Sequence, residues 1–148
     1  MAEKKGSAGQ MTREKMMAYY DSFNKGGGED AFYTYYTEDC VFKTPWGREI
    51  SGLKNAIAYI NDVAHRKGKI KETLKPSTIV IEGDVVAVEL ISELEALEDV
   101  PDFHMGGAFK KGDKVTWTLA GFYKVKNGKF AVVQLYVIVD PWLRKWMS

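Results

Sequence analysis

The clearest candidates for proton transfer lie in EDVPDFHMGGAFKKGD, a long polar connection with a glycine pair. It contains Asp102 and His104, and an imidazole titrates close to neutral pH, so that it can take up or release a proton. We name His104 and Asp102 as candidate catalytic residues; an exposed loop histidine without a catalytic role is the alternative. The other histidine, His65, lies at a predicted helix end, where its charge would suit the helix C-terminus, and we expect it to be solvated.

A second candidate is Thr44, in the segment YYTEDCVFKTPWG. This segment runs from an aromatic helix end through a short apolar strand into a Pro-Trp-Gly turn, and Thr44 ends the strand. A hydroxyl can bind a water or a substrate oxygen. It cannot abstract a proton at neutral pH as a carboxylate can.

Carboxylates do not form a paired acid–base site in this sequence. Along VVAVELISELEAL, side chains point alternately to the two faces of a predicted strand, so that Glu89, Glu93 and Glu95 share one face. We expect that face to contact water. Leu90 and Ser92 lie on the opposite, apolar face, where Ser92 is one of few polar groups.

Composition narrows the class of partner. The 148 residues suit one domain, large enough to bury about two-thirds of its unfolded surface. With a net charge of +1, the chain has no electrostatic signature of a nucleic-acid or membrane-binding protein. Aromatic residues make up 13% of the chain, and large rings either fill a core or line an apolar pocket. We therefore expect a small apolar molecule as the partner.

Cysteine usage and the first residues predict the compartment. Cys40 is the only cysteine, which excludes an intramolecular disulfide, and no Cys/His cluster has zinc-site spacing. We therefore expect a cytoplasmic protein without metal or cofactor. Residues 1–10 carry positive charge without an apolar run behind it, which predicts a disordered tail rather than a signal peptide. We expect residues 11–148 to form a single domain.

Helices dominate the first half of the chain. Thr12 is predicted to cap a helix through REKMMAYYDSFNK that ends at a glycine triplet, and a second helix starts at Glu29 and ends near Tyr36. Ser51 is predicted to cap a third helix through LKNAIAYINDVAHR, which ends at Gly68.

Strands follow the helices. Two hairpins are predicted. The first joins STIVI to VVAVELISELEAL, and the second joins KVTWTLAGFYKV to KFAVVQLYVIV through the turn Asn127-Gly128. Asp140 and Pro141 begin a short C-terminal helix. This order predicts an α+β fold with the helices on one face of a curved antiparallel sheet. Gln134 and Tyr136 share the outer face, which suits a homodimer through the sheet.

Three parts of the chain follow one another in a telling order: the run DSFNKGGGEDAFYTYYTEDCVFKTPWG, then SGLKNAIAYI, then a meander ending GFYKVKNGKF. In this order they resemble the nuclear transport factor 2-like superfamily of cone-shaped α+β domains. Within it the chain looks most like SnoaL-like polyketide cyclases, ketosteroid isomerases and limonene epoxide hydrolases. The resemblance covers residues 12–147 and rests on element order and spacing. It implies a pocket on the concave face of the sheet, and a dimer through the sheet.

The ketosteroid isomerase pattern is only partly present. Tyr19 precedes Asn24 at the spacing of that family's catalytic tyrosine, so the resemblance implies Tyr19 as a hydrogen-bond donor. Thr44 stands where that family has its aspartate base, and where the epoxide hydrolases hold water with an amide. The second oxyanion donor falls near Gly121 and is missing.

The Asp-Arg-Asp triad of the epoxide hydrolases is also missing. Its positions correspond to Leu90, Ser92 and Leu135. Both reactions are therefore disfavoured, and the group that transfers the proton must lie elsewhere. The resemblance also suggests that the connection carrying His104 folds over the mouth of the cone.

The main hypothesis is a lyase (dehydratase) or an isomerase (cyclase) acting on a hydrophobic aromatic or polyketide-like substrate. Tyr19, Thr44, His104 and Asp102 are its candidate catalytic residues. The candidate substrate-binding residues are Phe23, Tyr36, Phe42, Trp46, Leu90, Ser92, Trp117, Leu119, Leu135 and Val137. One alternative is a non-catalytic binding protein for an apolar metabolite, which the missing aspartates favour. Another is a protein-interaction domain that uses the outer sheet face.

Overall fold

The computed structural model describes residues 10–103 and 108–138. Three predicted features lie outside the described residues. They are residues 1–9 of the predicted tail, the candidate His104, and the C-terminal helix predicted at Asp140.

The first two helices form as predicted. Helix α1, Arg13–Gly26, begins after Thr12, whose hydroxyl accepts a hydrogen bond from the Lys15 backbone N–H at 3.1 Å. It ends at Gly27, whose φ of +74° suits glycine. Helix α2, Glu29–Tyr35, follows directly. The apolar face of α1 is buried against the sheet.

The third helix departs from the prediction. Helix α3, Leu53–Ala58, has Gly52 at its N-cap and no side-chain cap, so the predicted Ser51 cap is wrong. Ser51 instead belongs to a short strand, where it pairs with Val41. After α3 the chain continues as a π-helical turn, Tyr59–Ala64, and then a short 3-10 turn, Arg66–Gly68.

Six strands form one curved sheet. They are β1 (Tyr36–Lys43), β2 (Glu49–Ser51), β3 (Ile70–Glu82), β4 (Val85–Ala96), β5 (Lys114–Lys126) and β6 (Lys129–Ile138). Their spatial order is β2-β1-β6-β5-β4-β3. The predicted α+β class, with helices packed on one face, is confirmed. The sheet is not wholly antiparallel, because β1 and β6 pair in parallel; the chain between them passes through β2, α3 and strands β3 to β5.

Strand β3 is longer than predicted. We expected it to begin at Ser77, but it begins at Ile70 and continues through Pro76. Proline is tolerated there because β3 is an edge strand, and a register shift between Pro76 and Thr78 marks a bulge.

The two faces of the sheet are as predicted. On the inner face Ser92 and Trp117 are buried. On the opposite face Glu89 is exposed, and Glu93 and Glu95 are half-buried. The core lies between this inner face and the helices. None of the helices described is long and apolar enough to cross a membrane.

Candidate functional site

A small cavity lies on the inner face of the sheet, between two groups of buried side chains. One group contains helix side chains together with sheet residues and includes Ile60 and Leu119. The other includes Leu94 of β4 and Phe103 of the β4–β5 connection. The cavity volume is about 80 Å³. Its lining residues are Phe42, Pro45, Trp46, Tyr59, Ile60, Ala64, Glu72, Ser92, Leu94, Trp117, Leu119 and Leu135.

Glu72 contributes the only carboxylate to this lining within the described part of the chain. One of its oxygens, Oε2, accepts a hydrogen bond from Ser92 Oγ at 2.5 Å, and the other, Oε1, lies 3.0 Å from His65 Nε2. The side chains of His65 and Glu72 are only 7% and 14% exposed. A carboxylate is costly to bury unless polar groups pair with it, and these two partners offset that cost.

Strand register places Glu72 beside Ser92. Glu72 pairs with Leu94 and Leu74 pairs with Ser92, so Glu72 and Ser92 are diagonal neighbours on the same face of the β3–β4 ladder. Both side chains therefore point into the same apolar volume.

The π-helical turn places His65. Its backbone N–H reaches the carbonyl of Ile60 at 2.9 Å, which makes the turn one residue wider than an α-turn. The extra residue rotates the following side chains relative to a regular helix, so that His65 faces Glu72. The prediction that His65 is solvated is wrong, since it is 6% exposed.

Glu72 was missed because the first half of β3 was not predicted as a strand. One sequence signal could have found it. Ile70, Glu72 and Leu74 alternate with three polar residues, which is typical of a half-buried strand. An acidic residue within such an apolar face indicates a buried polar site.

Thr44 lies next to the cavity but outside its lining. Its Oγ1 accepts hydrogen bonds from the backbone N–H groups of Trp46, at 3.2 Å, and Arg48, at 3.1 Å, and the residue is 2% exposed. Thr44 therefore holds the Pro-Trp-Gly turn. This turn sets the Trp46 ring 5.6 Å from that of Trp117.

Tyr59 supplies a phenol to the cavity wall. Burial raises the pKa of Tyr59, while a hydrogen bond with Thr44 and the charge of Arg48 act in the opposite direction. The Arg48 guanidinium lies 5.3 Å from the centre of the Tyr59 ring. The phenol is thus neutral at physiological pH.

Tyr19 lies in the aromatic core rather than in the cavity lining. Its hydroxyl is 2.9 Å from that of Tyr36, and burial together with the neighbouring phenol raises the pKa of Tyr19 well above its usual value. A second phenol pair, Tyr20 and Tyr123, has the same 2.9 Å separation. These pairs connect α1 to β1 and β5.

The other predicted site residues have three different positions. Six line the cavity: Phe42, Trp46, Ser92, Trp117, Leu119 and Leu135. Phe23, Tyr36 and Leu90 are buried elsewhere in the core, and Val137 packs half-buried against both groups of core residues.

Asp102 is separate from the cavity. Its side chain is 84% exposed and accepts a hydrogen bond from Arg66 Nη1 at 3.2 Å. Within residues 10–103 and 108–138, no three His, Cys, Asp or Glu side chains are grouped as metal ligands would be.

Comparison with known proteins places the chain among small α+β domains. The model of the SnoaL-like domain family matches residues 17–133. A search of curated proteins finds no significant match.

Solved structures are similar over most of their length. A proposed polyketide cyclase from Xanthomonas campestris pv. campestris is 20% identical, with 88% of this chain and 93% of that chain covered and a TM-score of 0.70. An LEH-like epoxide hydrolase from M. tuberculosis is 15% identical, with 88% and 84% covered and a TM-score of 0.64. A proposed hydroxylase from Streptomyces galilaeus is 16% identical, with 89% and 92% covered and a TM-score of 0.66. At these identities the likeness shows the fold alone.

Proposed function

Because the chain belongs to the SnoaL-like domain family, we propose that it is a small-molecule enzyme that moves a proton on a hydrophobic substrate held in the cavity. The reaction class is that of a lyase (dehydratase) or an isomerase (cyclase). The observation that carries the proposal is the carboxylate of Glu72 in a cavity that is otherwise mostly apolar. The predicted resemblance to SnoaL-like proteins is confirmed by the family match.

Glu72 has the role of general base in this proposal. A carboxylate can accept a proton from a carbon next to a substrate carbonyl, while the electron pair of the broken C–H bond moves toward the carbonyl oxygen. An isomerase returns the proton to another carbon. A dehydratase returns it to the departing hydroxyl, which leaves as water.

Ser92 and His65 are positioning residues for Glu72. Ser92 binds one carboxylate oxygen and His65 binds the other, so the carboxylate is held in one orientation before the substrate arrives. Such fixed orientation lowers the entropic cost of reaching a reactive geometry.

The cavity size limits what can be bound. Its volume of about 80 Å³ is well below the roughly 300–1,000 Å³ of pockets for drug-sized ligands. We propose that it holds the reacting end of an aromatic or polyketide-like substrate. Trp46, which lines the cavity and is 39% exposed, marks the mouth through which the remainder would extend.

This assignment differs from both enzyme patterns considered from the sequence. The sequence offers His104 or Asp102 as the group that moves the proton, because the Thr44 hydroxyl cannot act as the base. The carboxylate instead comes from β3, on the inner face of the sheet. The missing aspartates of the ketosteroid isomerase and epoxide hydrolase patterns therefore do not leave the cavity without a base.

Diacetone alcohol, a small β-hydroxyketone, tests the proposal. Removal of a proton from the carbon next to its carbonyl, with loss of the hydroxyl as water, forms mesityl oxide, which is the proposed step. Cleavage to two molecules of acetone instead begins with removal of the hydroxyl proton, so the product shows which proton is taken. We expect the wild-type protein to accelerate the formation of mesityl oxide, and Glu72→Gln to reduce that rate about a hundredfold or more. Glu89→Gln is the matched control, because Glu89 is exposed on the outer face of the same sheet, and this variant should keep the wild-type reaction rate.

The runner-up is a non-catalytic binding protein for an apolar metabolite. The hydrogen bonds of Glu72 to Ser92 and His65 favour it, since they satisfy the carboxylate without any substrate. Wild-type protein that binds diacetone alcohol without accelerating either reaction would support this alternative. A full rate in Glu72→Gln would show that another group is the base.

A further inference from the structure

The indole N–H of Trp117 is a buried donor without a hydrogen-bond partner among residues 10–103 and 108–138. The residue is 6% exposed, and it lines the cavity. A buried tryptophan N–H ordinarily finds an acceptor, because leaving it unpaired forfeits the hydrogen bonds it makes with water. An unpaired donor in a cavity wall indicates an acceptor supplied by a ligand.

The strand register places this donor near the cavity carboxylate. Trp117 pairs directly with Ser92 on the β4–β5 ladder, and both side chains are on the inner face. Directly opposed residues have Cβ atoms about 4.5–5.5 Å apart. Since Ser92 also donates to Glu72, the three residues form a polar row across β3, β4 and β5.

Neighbouring rings hold the indole in place. The Trp46 ring lies 5.6 Å from it and the Phe103 ring 6.2 Å. The other two buried groups without a partner in the described part of the chain, Thr37 Oγ1 and Arg66 Nε, belong to residues outside the cavity lining. Among the residues that line the cavity, Trp117 is therefore the one with an unpaired buried side-chain donor in the described part of the chain.

We propose that Trp117 donates a hydrogen bond to a ligand oxygen, so that the cavity selects neutral ligands with a carbonyl group over hydrocarbons of the same shape. Anionic ligands are disfavoured because the Glu72 carboxylate would repel them. The inference rests on the proposed function in that the same cavity is the ligand site. In the proposed reaction the indole N–H faces the oxygen toward which the electron pair moves.

Cyclopentanone and methylenecyclopentane test this inference, because they share a shape and differ in the oxygen. The indole proton of Trp117, assigned by its absence in Trp117→Phe, should shift downfield in NMR spectra when the ketone binds and not when the alkene binds. Trp117→Phe should weaken ketone binding about three- to tenfold and change alkene binding less than about twofold. Tyr136→Phe, a change on the exposed outer face of the same sheet, is the control and should leave the binding of both compounds unchanged.

Equal weakening of both ligands in Trp117→Phe, or ketone binding that leaves the Trp117 indole proton unmoved, would overturn the inference. Neither result bears on Glu72, so the proposed function would stand. If neither compound perturbs the residues that line the cavity, the inference and the proposed ligand site both fail.

Discussion

At the residue scale, Thr44 illustrates how a polar group beside a cavity can have a structural role. Its oxygen accepts two backbone hydrogen bonds from the turn that carries Trp46. A catalytic role for Thr44 stays a prediction, and these contacts predict a measurable contribution to stability.

Thr44→Val keeps the shape of the side chain and removes the acceptor. We expect it to lower the free energy of unfolding by about 1–3 kcal/mol, because two N–H groups lose their partner. Thr44→Ser, which keeps the hydroxyl, should lose less. Urea unfolding of the three proteins measures this, and unchanged stability of Thr44→Val would show that water replaces the threonine oxygen.

Single residues of the site were predictable where periodicity was clear. Alternation along β4 and β5 predicts Ser92, Trp117 and Leu119 on the inner face, and that placement is confirmed. Glu72 and His65 were not predictable in the same way. Their positions depend on an extended edge strand and a widened helical turn, and neither has a strong local sequence signal.

At the element scale, Asn24 connects α1 to the edge strand β3. Its amide nitrogen donates to the Leu74 carbonyl at 2.9 Å, and its amide oxygen accepts from the Leu74 N–H at 2.8 Å. These bonds use backbone groups on the free side of an edge strand, which would otherwise be open to another chain. The same strand carries Glu72 two residues earlier.

Asn24→Ala should therefore destabilise the protein by about 1–3 kcal/mol, since two backbone groups lose their partner. Asn61→Ala is the control. It removes an exposed hydrogen bond from the Asn61 amide to Glu29, and it should change the free energy of unfolding by less than about 0.5 kcal/mol. Thermal or urea unfolding compares the two variants. An equally small effect in both would show that β3 does not need this link.

Element order was predictable, and element ends were not. Capping by Thr12 and the Asn127-Gly128 turn defined α1 and the last hairpin correctly. The Ser51 cap failed because Ser51 pairs in β2, a contact between distant residues that local propensity does not show. The parallel β1–β6 pair likewise depends on the whole topology.

At the scale of the whole molecule, the phenol-rich core predicts sensitivity to alkali. Burial raises the pKa of Tyr19, Tyr20 and Tyr36 well above the usual value, and that of Tyr123 to about 12. In the unfolded chain a tyrosine has a pKa of about 10. Between these values the folded state keeps protons that the unfolded state has lost.

The free energy of unfolding should therefore be unaffected below about pH 10 and fall above it, by about 1.4 kcal/mol per pH unit for each phenol. Tyrosinate absorbance should rise together with the loss of helical circular dichroism. Titration of these phenols near pH 10 in a protein that stays folded would contradict the burial seen here.

The outer sheet face is the remaining large feature. Phe122, Tyr136 and Ile138 are each about half exposed there, and the Phe122 and Tyr136 rings are 6.1 Å apart. Exposed aromatic residues on a sheet suit an interface. A homodimer through this face stays a prediction, as does the protein-interaction role considered from the sequence.

The central claim is that Glu72 takes a proton from a ligand in the cavity, and hydrogen exchange tests it most directly. Cyclopentanone is incubated in D₂O, and deuterium incorporation next to its carbonyl is followed by NMR with wild-type, Glu72→Gln and Glu89→Gln proteins. We expect the wild-type protein and Glu89→Gln to accelerate incorporation equally, and Glu72→Gln to be slower by about a hundredfold or more. Equal incorporation with Glu72→Gln and wild type, or no acceleration by wild-type protein with cyclopentanone bound, would contradict the claim.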